Sequence, residues 1–233
     1  LSRYLQTPRV LYQYPQQAYV GMVIPKTKIY QHGSVRKRIK ELFISQVSEI
    51  RWEYKLSSET LHLQEGDGVE EIQVFSVFSK GDAEPDDEII ETIDNAIPSP
   101  IVFELHREGS IQGRAAYKRK SRADRNDFVV HTYFHTQWLE ATVQRLPLPP
   151  ALNLGELYAR LLYSLSGLDA VENETLEEHI GRARQIRQKE SEMDRLIHTM
   201  EKEIQFNRKV ELNHRKQEME AEIKRLLLRD NDR

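Results

Sequence analysis

The stretch from Val171 to Arg233 is rich in Glu, Lys, Arg and Gln, has no proline and carries one glycine. Such a segment forms a long exposed helix unless it stays unfolded, and as a straight helix it reaches roughly 80 Å. Met193, Ile197, Met200 and Ile204 follow the alternating four-and-three spacing of a helical seam, as do Leu212, Lys216, Met219, Ile223 and Leu226. The two runs are out of phase by one residue around Phe206 to Glu211, which predicts a helical hairpin or an interrupted coiled coil. Neither run can bury its stripe alone. The partner is a second copy, the folded-back half, or another protein, so Met193, Ile197, Met200, Ile204, Leu212, Met219, Ile223 and Leu226 are the candidate oligomerisation residues.

The rest of the 233-residue chain has room for one sizeable core, given 39% hydrophobic residues overall. The expected division is a mixed α/β domain over residues 1–167 and a helical coiled-coil arm over 168–233. Zero cysteines exclude disulfides and thiolate metal sites and fit a reducing compartment, so a cytoplasmic setting is expected. No apolar run approaches the roughly 18 to 20 residues of a membrane span. The net charge of −3 predicts no general attraction to polyanions.

Along the α/β part, the tyrosines of the first thirty residues are expected to pack on the domain rather than to stack on bases. Ser34 then reads as an N-cap, and Val35, Ile39, Leu42, Phe43, Val47, Ile50 and Tyr54 fall at helical spacing, predicting one helix whose other face carries Arg36, Lys37, Lys40 and Arg51. "VEEIQVFSVFSK" reads as a central strand. Pro85 and the acids Asp86, Asp87 and Glu88 start a helix buried through Ile89, Ile90, Ile93 and Ile97 and stopped by Pro98. Three strands follow, "IVFELHR", "IQGRAAYKR" and "DFVVHTYF", the first two joined at Glu108-Gly109-Ser110. Leu154, Leu157, Leu161 and Leu165 mark a further amphipathic helix.

Two chemical readings attach to "VFELHREGSIQGRAAYKRK" (Val102–Lys120). A common nuclease core sets a carboxylate on one strand and a Glu-x-Lys or Asp-x-Lys on the next, so that carboxylates hold Mg²⁺ and the lysine orients water. Glu104 and Lys118 lie on successive predicted strands, but Ala116 stands where the second acid belongs, leaving Glu71 or Glu91 to supply it. The other reading is electrostatic: Arg107, Arg114, Lys118, Arg119, Lys120, Arg122 and Arg125 fall within nineteen residues and suit a phosphate backbone or an acidic protein. His131 and His135 share a face of their strand, about 13 Å apart and too far for one metal. His179, His198 and His214 read as ordinary exposed helix residues. No cofactor is indicated beyond Mg²⁺ for a nuclease.

The phrases "IPKTKIY" (Ile24–Tyr30), "KELFISQVSEIRWEYKLSSET" (Lys40–Thr60), "EIQVFSV" (Glu71–Val77), "AIPSPIVFEL" (Ala96–Leu105) and "AAYKRK" (Ala115–Lys120), in this order, resemble a bacterial and archaeal family known as a domain of unknown function. The resemblance implies context rather than catalytic residues: such proteins are often encoded near DNA methyltransferases and superfamily 2 helicases in restriction-like, antiviral loci. It implies a helicase or methyltransferase subunit, and DNA, as partners. The expectation that follows is a non-catalytic accessory subunit, with a divergent Mg²⁺-dependent nuclease and an oligomeric scaffold as alternatives.

Overall fold

The computed structural model describes residues 3–31, 35–120 and 128–228. By contacts along the chain it divides into two units, Pro8–Leu165 and a second made of Leu1–Thr7 with Ser166–Arg233.

The larger unit is built on a mixed sheet. Its strands are β2 (Tyr19–Val23), β3 (Val47–Ser57), β4 (Glu71–Ser79), β5 (Ile101–Arg107), β6 (Ser110–Lys120) and β7 (Phe128–His135), in that spatial order, with β8 (Leu139–Glu140) also pairing β6. The short β1 (Tyr12–Gln13) and β9 (Leu146–Pro147) form a separate parallel pair. All neighbours in the large sheet are antiparallel except β4 and β5, which run parallel. A parallel pair needs a crossover, and α4 (Asp87–Ala96) supplies it. Asp86 caps that helix, its carboxylate accepting from the Glu88 N–H, and further acids fill the first turn, as its macrodipole favours. The β5–β6 turn is the two-residue Glu108-Gly109, both with positive φ, a geometry for which glycine is the least strained residue.

One correction concerns the helix expected to run from Ser34 past Tyr54. Ser34 lies outside the described residues; α2 spans only Lys37–Gln46, and β3 begins at Val47. Val47, Ile50 and Tyr54 satisfy both periods, but the segment also carries Trp52 and other strand-favouring residues, and nine register pairs with β4 decide the conformation. Arg51 therefore sits on β3, paired with Glu49 at 2.5 Å, and not on the helix's basic face.

One face of the sheet packs against α1 (Lys26–Gln31), α2 and α4 through Ile29, Phe43, Ile50, Phe75, Ile89, Ile93 and Phe103, all buried. On the other face, Val102, Glu104 and Gly113 meet Leu11, Tyr14 and the Leu161 and Leu165 side chains of α5 (Leu154–Ser166). A side chain at Gly113 would press on the Leu11 side chain, 2.9 Å from its Cβ, while Thr136 and Leu165 would lie in ordinary contact, so glycine eases the approach of Leu11. The remaining helix, α3 (Ser58–Leu61), is one turn closed by a Ser57–Thr60 capping box.

The second unit is an antiparallel helical hairpin, α6 (Leu176–Lys202) and α7 (Phe206–Leu228). Arg182 on α6 donates to the Leu226 carbonyl near the end of α7, and Lys189 pairs with Glu222 further along. Met193, Leu196, Leu212, Met219 and Ile223 are buried. Of the three partners open to the seam, the folded-back half covers part of it. Met193, Leu212, Met219 and Ile223 are buried within the chain itself, Ile197, Met200 and Leu226 are half-buried, and Ile204 is 91% exposed at the turn. No helix among the described residues is long and apolar enough to cross a membrane.

Candidate functional site

The nuclease constellation does not assemble. Strand alternation sets Glu104 on the α5 face, opposite Gly113 of β6, where Arg145 holds its carboxylate in a two-pronged ion pair at 2.5 and 2.9 Å. That hydrogen bond, opposed by burial, raises the Arg145 pKa above its ordinary value, and Arg145 also donates to the Tyr12 carbonyl. Lys118 points to the other face and closes the C-terminus of α4. Its Nζ donates to the carbonyls of Asp94 and Ile97, both at 2.6 Å, and of Ser99 at 3.2 Å. Unsatisfied carbonyls and the negative end of the macrodipole make a helix C-terminus a natural seat for a lysine.

Beside it, Asp94 Oδ1 lies 2.6 Å from Nζ and Oδ2 accepts from the Tyr133 hydroxyl at 2.7 Å. Burial pushes Asp94 up and Lys118 down, each opposed by the other's charge, and burial next to Asp94 drives Tyr133 well above its ordinary value. Glu71 is held by Lys55, Gln73 and Ser99 at 2.9, 2.7 and 2.8 Å. It meets Lys118 only through Ser99, whose hydroxyl faces Glu71 and whose carbonyl accepts from Lys118. Glu91 is exposed on α4.

Two members of the basic set, Arg114 and Lys118, are drawn inward. Arg114 is buried, reaching Asp87 at 2.6 Å and Glu84 at 3.9 Å over the Tyr133 ring, and Lys118 is consumed as described. Arg107 stacks on Trp138 at 3.9 Å and Arg119 is half-buried. The Lys120 side chain and all of Arg122 and Arg125 lie outside the described residues, as does the side chain of His131. A bulge inserts one extra residue in β7 between Val130 and Tyr133, so the simple alternation expected to align His131 with His135 is broken.

What the structure does bring together is a polar cleft of about 600 Å³ between α4 and the β6–β7 ribbon, joining Glu91 and Arg114 from the two predicted sets with Asp87, Asn95, Tyr133 and His135. Asp87, Glu91 and Asn95 recur every four residues on α4, a spacing that keeps them on one helix face. His135 Nδ1 donates to the Thr136 carbonyl at 2.9 Å. The cleft thus offers Glu91, Asn95 and His135 as hydrogen-bonding groups over a floor braced by the Lys118–Asp94–Tyr133 cluster. Among the described residues no three His, Asp or Glu side chains gather as a metal site.

The second unit holds a polar cluster that the sequence reading placed on an exposed surface. His179 is fully buried, its Nε2 2.9 Å from Ser166 Oγ and its Nδ1 3.1 Å from Glu174. Ser166 is itself buried, and Arg182 clamps Glu174 with two bonds of 2.7 Å. The order of groups is that of a Ser–His–carboxylate relay, but it is closed to solvent and ties the residues before α6 to its first turns. Burial alone would raise Glu174; the Arg182 hydrogen bond leads the interactions that outweigh it and hold the carboxyl at about 2.

Fold and site together define an α+β protein with a mixed sheet, flanking helices and a C-terminal helical hairpin. Residues 13–223 match a domain of unknown function, DUF4391, and the chain belongs to that family. No curated protein and no solved structure matches it.

Proposed function

We propose that this protein is a non-catalytic accessory subunit of a DNA-targeting, restriction-like assembly, acting in the cytoplasm and docking on a helicase or methyltransferase subunit through its helical hairpin. The observation that carries the reading is how Glu104 and Lys118 are used: each forms a structural ion pair, one with Arg145 and the other with Asp94, on opposite faces of the sheet. The assembly context comes from the family resemblance. The two helices of the arm are read as a short antiparallel coiled coil, with Met193 and Leu196 facing Leu212, Met219 and Ile223.

DNA contact, in this reading, falls to Arg119 and Lys120 of β6 and to Arg122 and Arg125, which follow them in sequence, because Arg114 and Lys118 are committed inside. Co-expression with the neighbouring helicase and methyltransferase subunits is expected to give a stable complex by size exclusion. Reversing Lys120, Arg122 and Arg125 to Glu is expected to weaken DNA binding and flatten its salt dependence. A chain that stays monomeric beside both subunits would overturn the reading.

A further inference from the structure

The first acidic residue of the chain is Glu41: residues 1–40 hold eight lysines and arginines and no Asp or Glu, in a protein whose net charge is −3. Four of the eight, Arg36, Lys37, Arg38 and Lys40, crowd the start of α2, where the macrodipole favours acids and none stands in the first turn. Their placement there does not help the helix form. Arg38 pairs with Glu88 of α4 at 2.7 Å. Arg36 and Lys37 lie four and three positions before Lys40 and so share a flank with it, all three exposed and outside the inward side marked by Ile39, Leu42 and Phe43. Glu41 reaches only Lys37, at 3.8 Å, and Lys40 lies 5.8 Å from the centre of the Tyr30 ring. Neither Arg36 nor Lys40 meets a carboxylate among the described residues. At the other end of α2, Lys26 donates to the Phe43 and Val47 carbonyls and Lys80 to that of Ile44, so both are hydrogen-bonded without being neutralised. The helix carries positive charge at both ends against one acid of its own.

A polyanion is the partner this flank fits. From Arg36 to Lys40 the helix rises about 6 Å, and a DNA duplex presents roughly three to four phosphate charges over that length of its axis. Folded proteins mix both signs on their surfaces and bind one another around an apolar centre, whereas α2 exposes a single large apolar side chain, Ile44. An anionic bilayer likewise holds a helix through a buried apolar face. A phosphate backbone needs charge alone and is met by exposed arginines and lysines without regard to sequence.

We infer that the Arg36, Lys37 and Lys40 flank of α2 is a nucleic-acid surface that grips the phosphate backbone of double-stranded DNA without reading its sequence. The inference rests on the DNA-targeting reading and deepens it by adding a contact on an element far along the chain from Arg119 and Lys120. To test it, binding of the full chain to two labelled duplexes of unrelated sequence is followed by fluorescence anisotropy across a range of salt concentrations. Polyglutamate and phosphatidylserine vesicles, at equal charge, serve as competitors. The variants are Arg36→Gln/Lys37→Gln/Lys40→Gln, the charge-keeping Arg36→Lys/Lys37→Arg/Lys40→Arg, and Lys209→Gln/Arg215→Gln, which removes two equally exposed cations of α7.

The expected result is equal affinity of wild type for both duplexes, lowered at least about tenfold in the triple Gln variant, with the slope of log affinity against log salt reduced by about two to three. The charge-keeping variant should retain most of the binding and the α7 variant should match wild type. The triple Gln variant should melt no lower than wild type, since the cations it removes oppose the macrodipole of α2. Unchanged affinity and slope in the triple Gln variant, an equal loss in the α7 variant, loss of binding in the charge-keeping variant, or competition by polyglutamate or vesicles as strong as by unlabelled duplex would each overturn the surface. If the triple Gln variant binds as wild type while reversal of Lys120, Arg122 and Arg125 weakens binding, this inference falls and the earlier reading of DNA contact stands. If wild type binds neither duplex, both fall.

Discussion

Lys118 illustrates how a charged residue in a strand can be read two ways. On sequence it looks like a water-orienting or phosphate-binding lysine; in the fold it caps α4 and neutralises Asp94. Removing one partner of such a buried pair leaves the other charge stranded, so Lys118→Met is expected to cost about 3–5 kcal/mol in urea denaturation. Tyr158 plays a related part, its hydroxyl donating to the Ala116 carbonyl and accepting from the Lys118 N–H across the β6–β7 bulge. Tyr158→Phe orphans both and is expected to cost about 1–3 kcal/mol. At His179, burial holds the pKa below the ordinary value, against the pull of Glu174. The unfolded chain then takes up that proton more readily, so stability present at neutral pH declines as pH falls through about 6.5. Glu174, at about 2 against an ordinary 4.5, adds a second loss between those values. Denaturation midpoints across pH should show both steps, and His179→Gln should remove the upper one.

Among the elements, the hairpin makes the sharpest contrast. Met193→Lys forces a charge into the fully buried space between α6 and α7 and is expected to melt the hairpin, read as lost helical ellipticity, whereas Ile204→Ser at the turn should stay within about 0.5 kcal/mol of wild type. Both outcomes follow from where the seam residues sit. The helical hairpin was legible because its apolar repeat is local, but its details were not: the turn falls at Glu203–Gln205, ahead of the phase break read at Phe206 to Glu211, and Leu196 rather than Ile204 is buried. Also legible were α4, with Pro85, its acids and its isoleucine stripe, and the strands β4 to β7. The β3 segment was not, because Val47, Ile50 and Tyr54 fit two periods and only pairing with β4 distinguishes them. The buried Asp94 left a faint signal: it falls four residues after Ile90, within the apolar stripe, where a carboxylate needs a cation. Which cation, and that Glu104 belongs to Arg145 across forty-one positions, depends on tertiary placement that no spacing rule reaches.

At the scale of the whole molecule, the hairpin from β5 to β6 is a structural junction, and the proposed function is binding. Glu104→Gln discriminates most directly, assayed on one preparation for urea stability and for DNA cleavage with Mg²⁺ or Mn²⁺. The account predicts that wild type cleaves no DNA, and that the substitution lowers stability by about 1–3 kcal/mol by weakening the buried pair with Arg145. Metal-dependent cleavage by wild type, abolished in a Glu104→Gln protein of unchanged stability, would contradict it.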